Sequence, residues 1–469
     1  MKQSLKKWYP VIILAGICFI AYLPSLGSIL RGESWQAYAG SFGQVMPPTV
    51  NGMPYGDNAL FRPLMYLVDW FEYKAFGWSP IGWRIIALVL HIGVVLSLYR
   101  VLKSIKSSWI PILFAGFFAS SPLVINQILY VIVAPYMIFT ILFLNSIYYL
   151  RKKNYWIPLI CLVIATFIYE QGFVFVGVIG IWLFLTDKRK WAIPFISVAA
   201  LYVCFFIWRT YQSPLYIEGS PVNNIFGNLS SGLSHAVVVI PVWIFTSVIH
   251  YYKLNPTSNI QYPSVQYIGR DLINNIYLLI TLAVVTFGIY KISSDFHGSK
   301  TKENDIYMPL LAALACAYII VICVVRAKLG ISYLFGTNEA AYTFGTILCI
   351  LTYMILVKYN FDKKWLIAPL IVMIAVGISV IFTVNYQIAQ KDKPVLTMIS
   401  DINQFVDQHK GEDFTFNITT TPEIQTYWDL NQNNFFYIKN MPQIFWANNY
   451  STDNPTYNLY FDGKTLEIK

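Results

Sequence analysis

MKQSLKKWYPVIILAGICFIAYLPSLG, residues 1–27, decides the class of fold. Lys2, Lys6 and Lys7 give it the basic start of a secretory signal. Its apolar stretch is too long for one, however, and no small-residue cleavage site follows it. The segment therefore reads as a retained first transmembrane helix. The composition of the whole chain agrees. Of 469 residues, 57% are hydrophobic and only 12% charged, where a soluble protein carries about 25% charged residues. The 17% aromatic share suits belts of Trp and Tyr at two membrane interfaces. The net charge of +10 does not point to nucleic acid, because the basic residues sit in short clusters between apolar runs. Cys18, Cys161, Cys204, Cys316, Cys323 and Cys349 all lie inside such runs. They read as small core residues and carry no information on redox compartment.

A bilayer-crossing helix needs about 20 apolar residues. The candidates are 9–30, 81–101, 109–124, 130–150, 155–169, 171–186, 191–210, 272–291, 307–326, 340–358 and 365–386, about eleven in all. Basic residues in short connections mark the cytoplasmic side. Lys2, Lys6 and Lys7 put the N-terminus there. Every second connection is then basic: Arg100, Lys103 and Lys106; Arg151, Lys152 and Lys153; Lys188, Arg189 and Lys190. Lys291, Lys300 and Lys302, and then Lys358, Lys363 and Lys364, keep that alternation if the apolar run 235–252 does not cross, so that run is read as re-entrant or interfacial.

The expected architecture is an α-helical polytopic membrane protein. Residues 1–386 form its core, with long outer loops at 31–80 and 211–271. Residues 387–469 are polar and rich in Asn, Asp and Thr, and they read as a small α/β domain on the outer face. Val395, Met398, Ile402 and Phe405 recur there at helical spacing. DFTFNITT and YNLYFDGKTLEI alternate as strands do.

Acids and arginines collect in the outer connections. The first, beginning in GSILRGESWQAY (27–38), carries Arg31, Glu33, Asp57, Arg62, Asp69 and Glu72. The third is the short pivot YEQG with Glu170; the fourth holds Glu218, Lys253, Arg270 and Asp271; the fifth has Arg326, Lys328 and Glu339. Ionisable groups near membrane depth are costly and tend to line a cavity that serves function. Glu170 reads as a functional acid or as a glutamate solvated at a helix end, and the shortness of the pivot favours function. Asp57, Asp69 and Glu72 lie in a loop with access to water, where structural roles are the simpler reading. His91, mid-helix in ALVLHIGVV, reads as a hydrogen-bonded core histidine. No Walker loop, dinucleotide fingerprint, nucleophile elbow, HExxH or zinc spacing is present. Nor is there an internal repeat with paired broken helices, a frequent mark of secondary transporters.

The order of short motifs resembles that of the C-type membrane glycosyltransferases, the class that includes the protein O-mannosyltransferases. GESW stands where the class has an acidic first outer loop. FRPLMYLVDWFEY, with Arg62 and Pro63, resembles its YRPL element. FGWSPIGWRIIALVLHIGVVL, with Gly77, Pro80, Gly82 and His91, resembles its G-x-x-P-x-G-aromatic-[HR] element and Leu-His helix. SPLVINQILY, YEQGFVF with Glu170, and FFIWRTY with Arg209 follow in the expected order. The resemblance covers about the first 210 residues well and the remainder loosely. In size and in lacking a tandem-repeat tail, the chain resembles the bacterial or phage-borne members, including serotype-converting O-antigen glucosyltransferases. Ser34 stands where the class often has a second acid. No metal-binding residues are assigned, and a divalent cation is left open.

The resemblance implies a polyprenyl-phosphate sugar as donor, a surface polysaccharide (O-antigen or other) or a protein as acceptor, and the bacterial inner membrane as location. The acceptor hydroxyl must lose a proton as it attacks the anomeric carbon, which calls for a carboxylate base. Glu33 is the first candidate, Asp57 and Asp69 the second. The departing lipid phosphate calls for guanidinium groups, with Arg62, Arg209, Arg270 and Arg326 as candidates, and Glu170 would orient an arginine or sugar hydroxyls. A single displacement inverts the anomeric centre. Two other classes fit the composition: a polysaccharide polymerase or ligase, and a flippase or transporter of lipid-linked sugar. Transfer of labelled sugar in detergent separates them.

Overall fold

In the hydrocarbon of a bilayer only intrahelical bonds satisfy a lone chain segment's backbone, and the long apolar runs accordingly fold as helices. The computed structural model describes residues 2–28, 49–50, 53–54, 62–76, 80–121, 134–169, 171–212, 303–326, 338–359, 363–409, 414–421, 434–438, 441–446 and 456–468. The expected span 272–291, the run 235–252, and most of the loops 31–80 and 211–271 lie outside the described residues.

The helices are α1 (Lys2–Tyr22), continued by a 3-10 turn over Leu23–Gly27, α2 (Pro63–Phe76), α3 (Pro80–Ile105), α4 (Ile110–Ala119), α5 (Ala134–Arg151), α6 (Trp156–Thr166), α7 (Gln171–Leu185), α8 (Arg189–Gln212), α9 (Glu303–Arg326), α10 (Asn338–Lys358) and α11 (Lys363–Gln408). Ten of the expected spans coincide with these helices. By length and composition, Trp8–Gly27, Ile81–Ile105 and Ile367–Gln390 are each able to cross a membrane; α4, α6 and α7 are shorter apolar helices. Large apolar side chains such as Ile12 and Phe19 on α1, Ile193, Leu201 and Ile207 on α8, and Val372 on α11 face outward, as a helix surface in contact with lipid does.

One helix, α2, lies within the stretch read as the first outer loop. Pro63 opens it, where the missing N–H is no loss. Leu64 and Met65 pack on the main core, and the Leu64 N–H donates to the Phe167 carbonyl at 3.1 Å. This contact fastens α2 to the end of α6.

The helices alternate in direction, and their contacts define two ends. Tyr307 at the start of α9 donates to the Leu150 carbonyl at the finish of α5, 3.2 Å away. Tyr353 near the finish of α10 donates to the Lys106 carbonyl beyond α3, also at 3.2 Å. Tyr155 and Trp156 pack on Trp191 of α8. These contacts bring the basic positions 103–106, 151–153, 188–190 and 358 to one end. The first helix exit, the start of α3, the finish of α4 and the pivot before α7 gather at the other.

The core between the ends is a continuous layer of buried Leu, Ile, Val, Phe and Tyr from nearly all of these helices. Buried hydroxyls stitch it. Thr140 on α5 donates to the Tyr136 carbonyl at 2.8 Å. Its single proton is thereby used, so Thr343 on α10 donates to Thr140 across the helix interface, also at 2.8 Å.

Helix α11 runs unbroken past residue 386, with Pro369 and Pro394 inside it. Its buried face beyond the core is Val395, Met398, Ile402 and Phe405. Phe405 and His409 pack on Tyr457, with centroids 5.3 and 5.0 Å away. Strands β1 (Thr49–Val50) and β2 (Met53–Pro54) form a small antiparallel pair. Strands β3 (Phe414–Thr420), β4 (Asn434–Ile438), β5 (Met441–Trp446), β6 (Thr456–Phe461) and β7 (Leu466–Ile468) form one sheet in the order β5-β4-β3-β6-β7. In it β3 and β6 are parallel and the other neighbours antiparallel. The alternating stretches DFTFNITT and YNLYFDGKTLEI contain β3 and β6–β7.

Gly377 lets α11 lie against the end of α4. A Cβ there would meet Ser120, 3.1 Å from its carbonyl carbon and closer still to its oxygen. Because the obstacle is backbone, Gly377→Ala must push the helices apart. Overpacking of this kind costs about 1–3 kcal/mol, and a lowered melting temperature of the purified protein in detergent reads it.

Candidate functional site

At the end opposite the basic positions, polar side chains from distant parts of the chain converge. The deepest is His91 on α3, with none of its surface exposed. Its Nε2 lies 3.3 Å from the Ala119 carbonyl, and its Nδ1 hydrogen-bonds the Tyr342 hydroxyl. A carbonyl only accepts, so Nε2 carries the proton and Nδ1 accepts from Tyr342. Ala119 ends α4, where carbonyls lose their intrahelical partners. One neutral imidazole thus closes a helix end and ties α10 to α3. Tyr22 packs edge-on to it from α1, centroids 5.2 Å apart. The hydrogen-bonded core histidine expected at position 91 is what the structure shows.

Nearer the surface, the FRPL and YEQG motifs meet. The Arg62 guanidinium carbon lies 4.7 Å from the centroid of the Tyr169 ring. Tyr169 stacks in turn on Tyr136 of α5, centroids 3.6 Å apart. Phe139 meets the same ring edge-on. Arg62 is therefore layered on a two-tyrosine platform beside the pivot. The pivot itself demands a glycine. A Cβ at Gly172 would lie 2.7 Å from Thr166 Cα and 2.8 Å from the Ala165 carbonyl carbon. The chain turns back on α6 so closely that no side chain fits at this position. The Gly172 N–H donates to the Tyr169 carbonyl at 3.0 Å, which fixes the turn.

Two further ionisable groups are buried here. Arg84, at the first turns of α3, has no exposed surface, and Glu72 on the adjoining α2 is 4% exposed. The sequence reads Glu72 as a structural acid and does not mark Arg84 by itself. The available signal was its place at the [HR] position of the GWR element, one charge opening a long apolar run. A guanidinium enclosed at membrane depth is a functional candidate on physical grounds.

Of the other expected site residues, Asp69 lies on α2, Arg209 lies near the finish of α8, and Arg326 is the last residue of α9. Arg209 and Arg326 thereby stand at helix ends remote from the basic positions, and Asp69 stands in the middle of α2. Glu33, Asp57, Glu170 and Arg270 lie outside the described residues. Among the described residues, no group of three or more His, Cys, Asp or Glu side chains is arranged to hold a metal ion.

The crystal structure of ArnT from Cupriavidus metallidurans bound to undecaprenyl phosphate is similar over 92% of this chain and 85% of that chain, with a TM-score of 0.44 and 10% sequence identity. No family model matches the sequence, and no curated relative does.

His91→Leu leaves the Ala119 carbonyl and the Tyr342 hydroxyl without their shared partner. An unsatisfied buried group costs about 1–3 kcal/mol, so the variant is expected to melt well below the wild type in lipid nanodiscs. Tyr342→Phe removes only one of the two bonds and should lose less. Equal losses would show that the Ala119 bond contributes nothing.

Proposed function

We propose that the protein is an integral membrane glycosyltransferase. It moves a sugar from a polyprenyl-phosphate donor to a hydroxyl of a cell-surface acceptor, in the first place a surface polysaccharide, at the outer face of the bacterial inner membrane. The observation that carries this reading is the meeting of Arg62 with the YEQG pivot. Two motifs more than a hundred residues apart in sequence share one platform, on the end remote from the basic clusters. By the positive-inside rule that end is extracytoplasmic. A buried arginine and acid, Arg84 and Glu72, lie on the elements beside it.

The chemistry needs three parts. A carboxylate takes the acceptor proton as its oxygen attacks the anomeric carbon, and Glu33 is assigned that role with Asp57 and Asp69 as the alternatives. Guanidinium groups neutralise the charge that grows on the departing lipid phosphate. Arg62 suits this because a guanidinium is a planar fork that matches an oxyanion bidentately, and stacking on the Tyr169 ring holds its plane. Arg84, Arg209, Arg270 and Arg326 are the further arginines of this set, and Glu170 orients one of them or the sugar. The apolar flanks of the helices receive the polyprenyl tail. One displacement from the face opposite the phosphate inverts the anomeric configuration.

Transfer of radiolabelled hexose from synthetic polyprenyl-phosphate hexoses to surface glycan, in detergent, tests the reading. Glu33→Gln should reduce turnover by about 10²–10⁴-fold, the usual contribution of a general base, with the melting temperature unchanged. Full turnover in that variant removes Glu33 as base.

Arg62→Lys separates shape from charge. A lysine keeps the cation but has neither the planar stack on Tyr169 nor the bidentate edge. The expected result is a loss of about 10²–10³-fold in kcat/KM, the range for removing one oxyanion donor. Retention of wild-type kcat/KM would take Arg62 out of the phosphate site.

A further inference from the structure

Helix α11 carries a polar stripe that the functions above leave unused. Asn385 and Asp392 lie two turns apart on one face, and neither has any exposed surface. Asn385 stands between two fixed points. Eight residues before it, Gly377 lies on Ser120 at the finish of α4. Four residues after it, Ala389 lies under Gly27 at the exit of the first helix, 3.4 Å from where a Gly27 Cβ would be. The amide therefore sits at the end where Arg62, Arg84 and His91 gather, beside the point where the chain leaves α1 for the segment carrying Glu33.

Two serines at the exit of the first helix spend their protons on local carbonyls. Ser25 donates to the Tyr22 carbonyl at 2.6 Å and Ser28 to the Ser25 carbonyl at 2.7 Å. Among the described residues, neither the Nδ2 nor the Oδ1 of Asn385 has a hydrogen-bond partner. A primary amide enclosed by protein without partners destabilises the fold, and an apolar side chain of the same shape would pack there at less expense. A side chain kept against its own stability is the expected mark of a binding function.

We propose that Asn385 is a substrate-binding residue whose amide takes a pair of sugar hydroxyls, one accepting from Nδ2 and one donating to Oδ1. This rests on the glycosyltransferase reading. The amide's paired donor and acceptor match neighbouring hydroxyls better than a phosphate, which offers acceptors alone.

Asn385→Leu tests it, because Leu is close in volume and removes both polar atoms. Melting temperatures in nanodiscs are measured alone, with polyprenyl phosphate, with polyprenyl-phosphate hexose, and with free acceptor glycan. The variant should melt at or above the wild type when alone and keep the shift caused by polyprenyl phosphate. It should lose the extra shift that the hexose adds, with KM for the sugar donor raised at least tenfold. Loss of the glycan shift in its place assigns the amide to acceptor hydroxyls. A variant that melts lower than wild type has lost a structural bond, and one that keeps both sugar shifts has lost nothing used; either result overturns the proposal. If the wild type shows a hexose shift but no transfer, the enzyme reading fails while the binding residue stands. If no sugar shifts the wild type, the binding residue fails on its own account.

Discussion

Everything in this bundle answers to one constraint: a polar group within it has almost no water to fall back on. His91 shows how the constraint shapes the packing. The finish of α4 leaves carbonyls without intrahelical partners, and an orphan of this kind in hydrocarbon costs several kcal/mol. The imidazole supplies the missing donor through Nε2, and Nδ1 then has to be an acceptor. Tyr342 fulfils that need from α10. Three helices are held at one level by the bonding capacity of a single neutral ring, and Tyr22 packs on it from a fourth. The Thr140–Thr343 bond repeats the logic at the next residue of α10, with donor direction again set by a local carbonyl.

The same constraint sorts charge along the bundle axis. Lysines and arginines of the short connections collect at one end, where Arg151 bonds Ser104 and lies over Tyr307. Those groups are partly wet and anchor the bundle at an interface. At the other end the ionisable groups are different in kind. Arg84 and Glu72 are enclosed, and Arg62 is laid on aromatic rings. Enclosure raises the strength of every charge interaction, because the effective dielectric falls. Under the proposed function, that is the environment in which a departing phosphate is stabilised most, and it lies at the end where the first helix exits.

Much of the fold was legible because apolar length is a strong signal. Runs such as 81–101 and 171–186 became α3 and α7 with ends shifted by a few residues. The helical spacing of Val395, Met398, Ile402 and Phe405 marked a buried face correctly. Helix α2 was missed because LMYLVDWFEYK mixes acids and aromatics in a stretch too short to span a membrane, and long connections are read as loops by default. The site was less legible for a different reason. Arg62 could be picked from its motif, but its neighbour Tyr169 looked like one aromatic among many, and no sequence rule pairs residues a hundred positions apart. Asn385 escaped attention because a single amide in an apolar run resembles an ordinary polar interruption until its surroundings are known.

Helix α2 also explains why the two motifs meet at all. Its first turn hydrogen-bonds the end of α6 through Leu64 and Phe167, only two residues from Tyr169. Pro63 fixes the entry angle, so the preceding Arg62 leaves the helix start in the direction of the ring. The glycine at 172 then permits the reversal into α7 to be tight enough that Tyr169 stays stacked on Tyr136. A side chain at 172 would open the reversal and loosen the platform beneath the guanidinium without touching either ring. The position of one cation thus depends on a proline, a backbone bond and a missing Cβ. The proposed oxyanion contact of Arg62 calls for such fixed geometry, because the advantage of a preorganised cation over water lies in not having to reorient during a reaction.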